Sequence, residues 1–414
     1  MDDRRATGDA SSVGQAAGSR VTSSLRTVFA AFLKLGLVSF GGPIAHLGYL
    51  RTEFVERRRW LDDAAYADLV ALCKFLPGPA SSQVGIALGA LRAGLPGAVA
   101  AWVGFTLPSA AIMIAFGYGF QFFEGGGEPG WLHGLKIAAV AVVAQAVWSM
   151  GRQLTPDRAR ASVAVAAALL VLAWPSTLAQ IAVIAIGGLI GWRLLPAADG
   201  SGGAHVDFRI GRRTPSMAWI LFFGLLVLLP VLARTTGRHA LALVDSFYRS
   251  GSLVFGGGHV VLPLLRAEVV PPGWISDEAF LAGYGMAQAL PGPLFTFSAY
   301  LGTVMEGRPS GWAGGLLTLA AIFLPSFLLV LGALPHWNAW RRKAGMRAAL
   351  NGINAAVVGI LLAALYDPIF TSAVASRGDF ALAAAAFALL VHRKASPLWV
   401  VLFAAGGGTL LALA

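Results

Sequence analysis

Long apolar runs separated by short polar loops recur along the whole chain, and they lack the alternating ten-residue segments of a membrane β-barrel. The pattern predicts a helix over about 25–40, interrupted at a Gly-Gly pair, then an amphipathic return over about 43–58. Short helices over about 63–76 and 80–92 flank Pro77-Gly78-Pro79. A long helix over about 97–120 and three further spans over about 131–150, 160–174 and 177–194 complete this unit.

The same series then returns. Phe32-Leu33-Lys34-Leu35-Gly36 through Phe40-Gly41-Gly42 matches Phe247-Tyr248-Arg249-Ser250-Gly251 through Phe255-Gly256-Gly257 at an offset of 215. Arg51 and Glu53 match Arg266 and Glu268 at that offset, and Pro77-Gly78-Pro79 matches Pro291-Gly292-Pro293 at 214. Trp60 pairs with Trp274, Leu107-Pro108-Ser109 with Leu324-Pro325-Ser326, and Gly134 with Gly352. Six anchors in one order establish an internal repeat. Its second copy predicts helices over about 243–256, 259–270, 277–290, 294–306, 311–335, 347–366, 379–392 and 396–413.

The segments flanking each Pro-Gly-Pro run for about 13 residues, near 20 Å as helix, against a hydrocarbon core of about 30 Å. They are read as re-entrant hairpins, with the turn buried in protein near the bilayer midplane. One extra span over about 217–234 separates the copies, so the second should be inverted relative to the first. Basic residues agree: Arg152, Arg158 and Arg160 mark one loop of the first half, and Arg341, Arg342, Lys343 and Arg347 mark the preceding loop of the second.

The fold class is therefore an all-α polytopic membrane protein built from two inverted-topology repeats with broken helices and re-entrant helical hairpins. Its expected organisation is a disordered cytoplasmic tail (1–24), a first transport repeat (25–194), a cytoplasmic linker (195–216), a connecting transmembrane helix (217–234) and a second repeat (243–414).

Composition narrows the function. Of 414 residues 57% are hydrophobic and 12% charged, and the mean hydropathy is +0.70. Soluble domains carry about 25% charged residues, which excludes a cytosolic enzyme and a disordered chain. The net charge of +11 sits in short loops, where it sets topology and meets anionic headgroups, so no nucleic-acid partner is expected. A single cysteine, Cys73, excludes an intrachain disulfide. The seven histidines are scattered and no phosphate-cradling loop occurs, so neither an enzyme, a metal site nor a cofactor is expected.

Broken helices in inverted repeats point to a secondary transporter whose substrate lies between the repeats. Helix N-termini after the two turns offer N–H groups and partial positive charge, which suits an anion. Ser81, Ser82 and Gln83 open the helix after the first turn, and Thr296 and Ser298 that after the second. A tight turn between packed helices is the alternative. Lys74, three residues before Pro77, is the leading candidate cation, and Gln288 is its counterpart. Gly41, Gly42, Gly256 and Gly257 expose backbone at the breaks. Lys34 and Arg249 are intramembrane cations, with snorkelling as the alternative. His46 and His259 are candidate proton carriers, but they are not repeat counterparts, and a lone satisfied histidine is the favoured reading of each. Arg51 with Glu53 and Arg266 with Glu268 are expected to form loop-end ion pairs.

Phe40-Gly41-Gly42-Pro43, Phe75-Leu76-Pro77-Gly78-Pro79 and their echoes Phe255-Gly256-Gly257-Gly258 and Leu290-Pro291-Gly292-Pro293 resemble the chromate ion transporter (CHR) family in its long-chain form. That resemblance implies export of chromate across the bacterial inner membrane and chromate resistance, and the distribution of basic residues places the N-terminus in the cytoplasm. The residues alone imply an oxyanion, leaving a sulfate permease or an uncoupled anion channel as alternatives. Expected partners are chromate or sulfate and membrane lipids, and a homodimer is left open.

Overall fold

The computed structural model describes residues 24–121, 129–196, 214–340 and 343–413. The tail expected over 1–24 (apart from Ser24), most of the linker expected over 195–216, and Arg341 and Arg342 lie outside the described residues. Among those described, the chain is helical throughout and has no strand.

The first half begins with α1 (Leu25–Val38), capped by the Ser24 hydroxyl on Thr27 N–H. It stops at Ser39, and Gly41 and Gly42 turn the chain with φ of 97° and 76°. Helix α2 (Gly42–Arg51) runs into a π turn (Thr52–Arg57), and α3 (Asp63–Phe75) is capped by Asp62. After the Pro-Gly-Pro turn comes α4 (Ala80–Gln121), broken by non-helical backbone at Ala93 and Gly94. The two helices predicted there stand on either side of this break and fold against one another: a Cβ on Gly89 would stand 2.3 Å from the carbonyl of Gly97. Next follow α5 (Gly130–Leu154), α6 (Arg158–Ala173) and α7 (Thr177–Leu194).

The connecting helix is α8 (Thr214–Thr236), which leaves Ile220, Val227 and Phe223 exposed. The second half comprises α9 (His239–Leu253), α10 (Val261–Val269), α11 (Asp277–Ala289), α12 (Phe297–Val304) and α13 (Gly311–Ala333). Then come the short α14 (Trp337–Trp340), α15 (Ala344–Ala364), the single turn α16 (Thr371–Ala373), α17 (Arg377–Val391) and α18 (Pro397–Leu413). The opening after the second turn differs from expectation: Leu294–Thr296 is a 3-10 turn, and α12 is shorter than predicted.

Six described helices are long and apolar enough to cross a membrane, and the protein is a multi-pass membrane protein. The exposed Leu, Ile, Val and Phe on their outer faces are what lipid contact requires.

The halves interlock by exchange. Helices α6 and α7 of the first half pack on α15 of the second, while α17 and α18 of the second pack on α5 of the first. Small residues set both contacts. A Cβ on Gly352 would lie 2.0 Å from the carbonyl of Gly187, and one on Gly134 would lie 2.2 Å from that of Ala404. Gly134 and Gly352 are repeat counterparts, so the same crossing is made twice with the roles of the halves swapped.

Candidate functional site

The exchange continues at the two Pro-Gly-Pro turns. Ser39 and Val254 are the residues just past α1 and α9, where helix carbonyls lack an intrahelical donor. Gly78 N–H donates to Val254 O at 2.6 Å, and Gly292 N–H donates to Ser39 O at 2.9 Å. Each turn thus caps the broken first helix of the other half. Both glycines have positive φ, 121° and 97°, which favours glycine over any side chain.

Each turn also lies against the long proline-containing helix of the other half. A Cβ on Gly78 would stand 2.9 Å from Ser326 Oγ, and one on Gly292 would stand 2.8 Å from Ser109 Oγ. These serines follow Pro325 and Pro108, which lie inside α13 and α4 at matching positions. The Leu-Pro-Ser anchors were legible as repeat markers, but not as site residues. Their contact with the turns depends on the fold.

Around the turns, buried polar atoms lack protein partners: Ser39 Oγ, Ser82 Oγ, Gln83 Oε1, Thr106 Oγ1, Gln288 Nε2 and Ser326 Oγ. Such groups are normally paired, and a cluster of them marks a place where a ligand would be met. The two openings are not equal. After the second turn, Thr296 and Ser298 spend their hydroxyl protons on the carbonyls of Pro293 and Phe295. After the first, Ser82 keeps its hydroxyl free, and Ser81 lies 3.5 Å from His46 Nδ1. Gln83 Nε2 donates to Pro77 O. The symmetrical pair of openings expected from the repeat is therefore uneven in donors.

His46 is buried, and its Nε2 lies 2.9 Å from Ser39 O, so that nitrogen carries the proton. The same carbonyl thus receives Gly292 and His46, tying α2 to the second turn. His259 Nδ1 lies 2.8 Å from the Tyr284 hydroxyl, one helical turn before Gln288. Pro79, Pro291 and Pro293 are buried, and Pro77 is partly so. Gly42 and Gly257 are partly buried, and Gly41 and Gly256 exposed.

Lys74 is exposed on the last turn of α3, so depth does not set it apart from other cations. The loop-end pairs form with other partners than expected. Glu53 binds Lys34 at 3.1 Å and Arg58 at 2.8 Å, whereas Arg51 binds Asp63 at 2.7 Å. In the second half Glu268 binds Arg249 at 2.8 Å and Arg266 binds Asp277 at 2.6 Å. The corrected pairs are themselves repeat counterparts. Side chains two residues apart on a helix do not face each other, so Arg51 and Glu53 reach different neighbours, as Arg266 and Glu268 do within α10. Lys34 and Arg249 therefore reach carboxylates rather than standing alone in hydrocarbon.

Among the described residues no cluster of His, Cys, Asp and Glu could hold a metal ion. An apolar groove of about 380 Å³ between Val140, Leu362, Tyr366 and Phe380 has no donor for an oxyanion.

Residues 26–192 and 241–409 each match the chromate transporter family, one match per half. The chain belongs to the chromate transporter family. It is 30% identical over 353 residues to a chromate transport protein of Pseudomonas aeruginosa, covering 82% of this chain and 80% of that relative. It is 27% identical over 356 residues to a chromate transport protein of Cupriavidus metallidurans, covering 83% and 82%. A probable chromate transport protein of Synechococcus elongatus is also 27% identical over 356 residues, with 83% and 84% covered. No solved structure matches. Both halves of this family member thus carry one Pro-Gly-Pro turn, one broken helix and one Leu-Pro-Ser segment within a long helix.

Proposed function

We propose that this transporter exports chromate from the cytoplasm across the bacterial inner membrane and so confers chromate resistance. The observation that carries the reading is the reciprocal bonding of Gly78 to Val254 and Gly292 to Ser39, which draws both turns to hydroxyls without protein partners. The first-turn N–H groups of Ala80, Ser81 and Ser82 have no intrahelical acceptor, and with the hydroxyls of Ser82 and Ser326 they form a donor set for a tetrahedral oxyanion. Lys74 adds a cation at the approach to the same turn.

The two halves are read as inverted in the membrane, with the N-terminus cytoplasmic. Rocking of one half against the other would then open the turns to each side in alternation. Because each turn is bonded to the opposite half, neither half can move without loading both bonds. The buried His46, linked to Ser39 and Ser81, and His259, linked to Tyr284, are the groups through which a proton could be coupled. An inside-negative potential also favours outward movement of a dianion by about 4.6 kcal/mol per 100 mV.

Relatives named as chromate transport proteins support chromate over sulfate, which has the same shape and charge. Chromate uptake into inverted vesicles, with sulfate as competitor, tests this. Saturable chromate uptake is expected. Its absence, or uptake of sulfate in strong preference, would overturn the substrate.

A further inference from the structure

The two halves share a backbone at one further place where their charges are opposite. Trp60 N–H donates to Phe54 O at 2.7 Å, and its counterpart Trp274 N–H donates to Val269 O at 3.1 Å. The residue before each tryptophan has positive φ, 50° at Arg59 and 77° at Gly273. Both turns close on a tryptophan N–H, the first one residue longer through its π turn, while the residues before the tryptophan differ: Arg57-Arg58-Arg59 in the first half and Pro271-Pro272-Gly273 in the second. Arg92 lies over Trp60, whereas beside Trp274 the second half has Glu306, whose N–H donates to Trp274 O at 3.0 Å.

The second half shows that the turn needs no cation. Arg59 even keeps a left-handed backbone that glycine adopts more readily. Topology alone would accept basic residues anywhere in the loop, yet here they converge. The Arg92 guanidinium lies 5.0 Å from the Trp60 ring centroid and that of Arg58 lies 5.9 Å from it, although Arg92 is distant in sequence. Lys34, Arg57 and Arg58 all bind the single carboxylate of Glu53. Among the described residues Arg92 has no ion-pair partner, and its buried Nε has no acceptor there. Beside the cluster, Arg51 is occupied by Glu56 and Asp63. At the matching place in the second half a lone Arg249 faces two carboxylates, Asp245 and Glu268.

We propose that Arg58 and Arg92 over Trp60, with Arg57 joined to Arg58 through Glu53, form a second anion site, outside the central turns, that holds a tetrahedral oxyanion at the first-half mouth, the end of the first half where the Trp60 turn lies. This rests on the oxyanion reading above for its transported form. A free oxyanion and the phosphate of a lipid headgroup share the chemistry, and the guanidinium forks suit both. The opposite charge at the second-half mouth makes capture one-sided, since a cationic mouth raises the local anion concentration and the on-rate.

The test uses purified protein in vesicles of neutral phosphatidylcholine, with and without phosphatidylglycerol. Arg92→Gln is the primary variant, because it breaks no ion pair, and Glu306→Arg is the converse one. With chromate offered from the first-half side in neutral lipid, Arg92→Gln is expected to raise KM about tenfold, with kcat little changed and the effect lost in high salt. Glu306→Arg is expected to lower KM from the other side. If Arg92→Gln acts only when phosphatidylglycerol is present, the oxyanion is the lipid phosphate, and the site stands with that occupant. Unchanged KM in both lipids overturns the site. Equilibrium binding of inorganic sulfate reads the site without transport. If the wild-type protein carries no chromate, the substrate reading fails, and loss of one bound sulfate in Arg92→Gln still supports the site, whereas equal sulfate binding overturns it.

Discussion

Gly78 and Val254 lie in opposite halves of the chain, yet the N–H of the first caps the carbonyl of the second at 2.6 Å. Gly292 repeats the contact on Ser39. A helix end buried inside a membrane protein must have its carbonyls satisfied, and here the donor comes from the other half's turn. The break in the first helix and the turn that seals it are one device, made twice.

Substituting Gly78 tests that device. In Gly78→Ala the new Cβ would meet Gln83 Nε2 at 2.6 Å and Ser326 Oγ at 2.9 Å, at a φ of 121°. Loss of chromate uptake by at least about tenfold is expected, since even 1.4 kcal/mol of strain at the joint changes an equilibrium by that factor. Gly292→Ala, which meets Ser109 Oγ at 2.8 Å, should behave alike. Vesicle uptake normalised to inserted protein measures both, and wild-type rates in either would refute the coupling.

Ser326 separates binding from stability. Its hydroxyl is buried without a partner, so Ser326→Ala removes an unsatisfied group and should leave thermal stability unchanged or raised by about 1 kcal/mol. Chromate KM should rise nonetheless if the hydroxyl meets substrate. A variant both stable and kinetically normal would remove Ser326 from the site.

The two ion networks should respond unequally. Arg249→Gln leaves Asp245 and Glu268, both about 8% exposed, without their shared cation. A loss of about 3 kcal/mol or more is expected. Lys34→Gln should cost about 1 kcal/mol or less, because Lys34 is 52% exposed and Glu53 keeps Arg57 and Arg58. Thermal unfolding in detergent compares the two, and equal losses would contradict the assignment.

Glu53 sits in the π turn outside the six long apolar helices. Burial pushes its carboxyl upward, but hydrogen bonds from Arg58 and Lys34 outweigh burial and hold it below the usual carboxylate range. Its contribution to stability is therefore present above the unfolded carboxylate pKa and is lost as pH falls through the lower folded value. Acidification should lower the Tm of the wild type more than that of Glu53→Gln. A parallel decline in both would place the acid sensitivity elsewhere.

Glycine positions distinguish packing from local propensity. Gly352→Ala would press a methyl to 2.0 Å from Gly187 O and force α7 away from α15, so loss of the folded protein is expected. Gly48→Ala, inside α2 with nothing within 4 Å, should raise stability by about 0.5–1 kcal/mol. Tm measurements on both variants decide the point.

The sequence by itself determined what depends on a few neighbouring residues. Apolar runs set the helices, glycine pairs and Pro-Gly-Pro set the breaks through allowed backbone angles, and the repeat set the correspondence between halves. The structure follows these closely, from α1 at Leu25–Val38 to α18 at Pro397–Leu413. Tertiary structure alone decided the partners. Arg51 turns to Asp63 rather than Glu53, Lys74 is exposed, and Thr296 and Ser298 spend their protons locally while Ser82 does not. Above all, each turn closes on the opposite half. Backbone preference acts over a turn or two of chain, whereas a hydrogen bond or ion pair goes to whichever complementary group the packing of distant helices brings within reach.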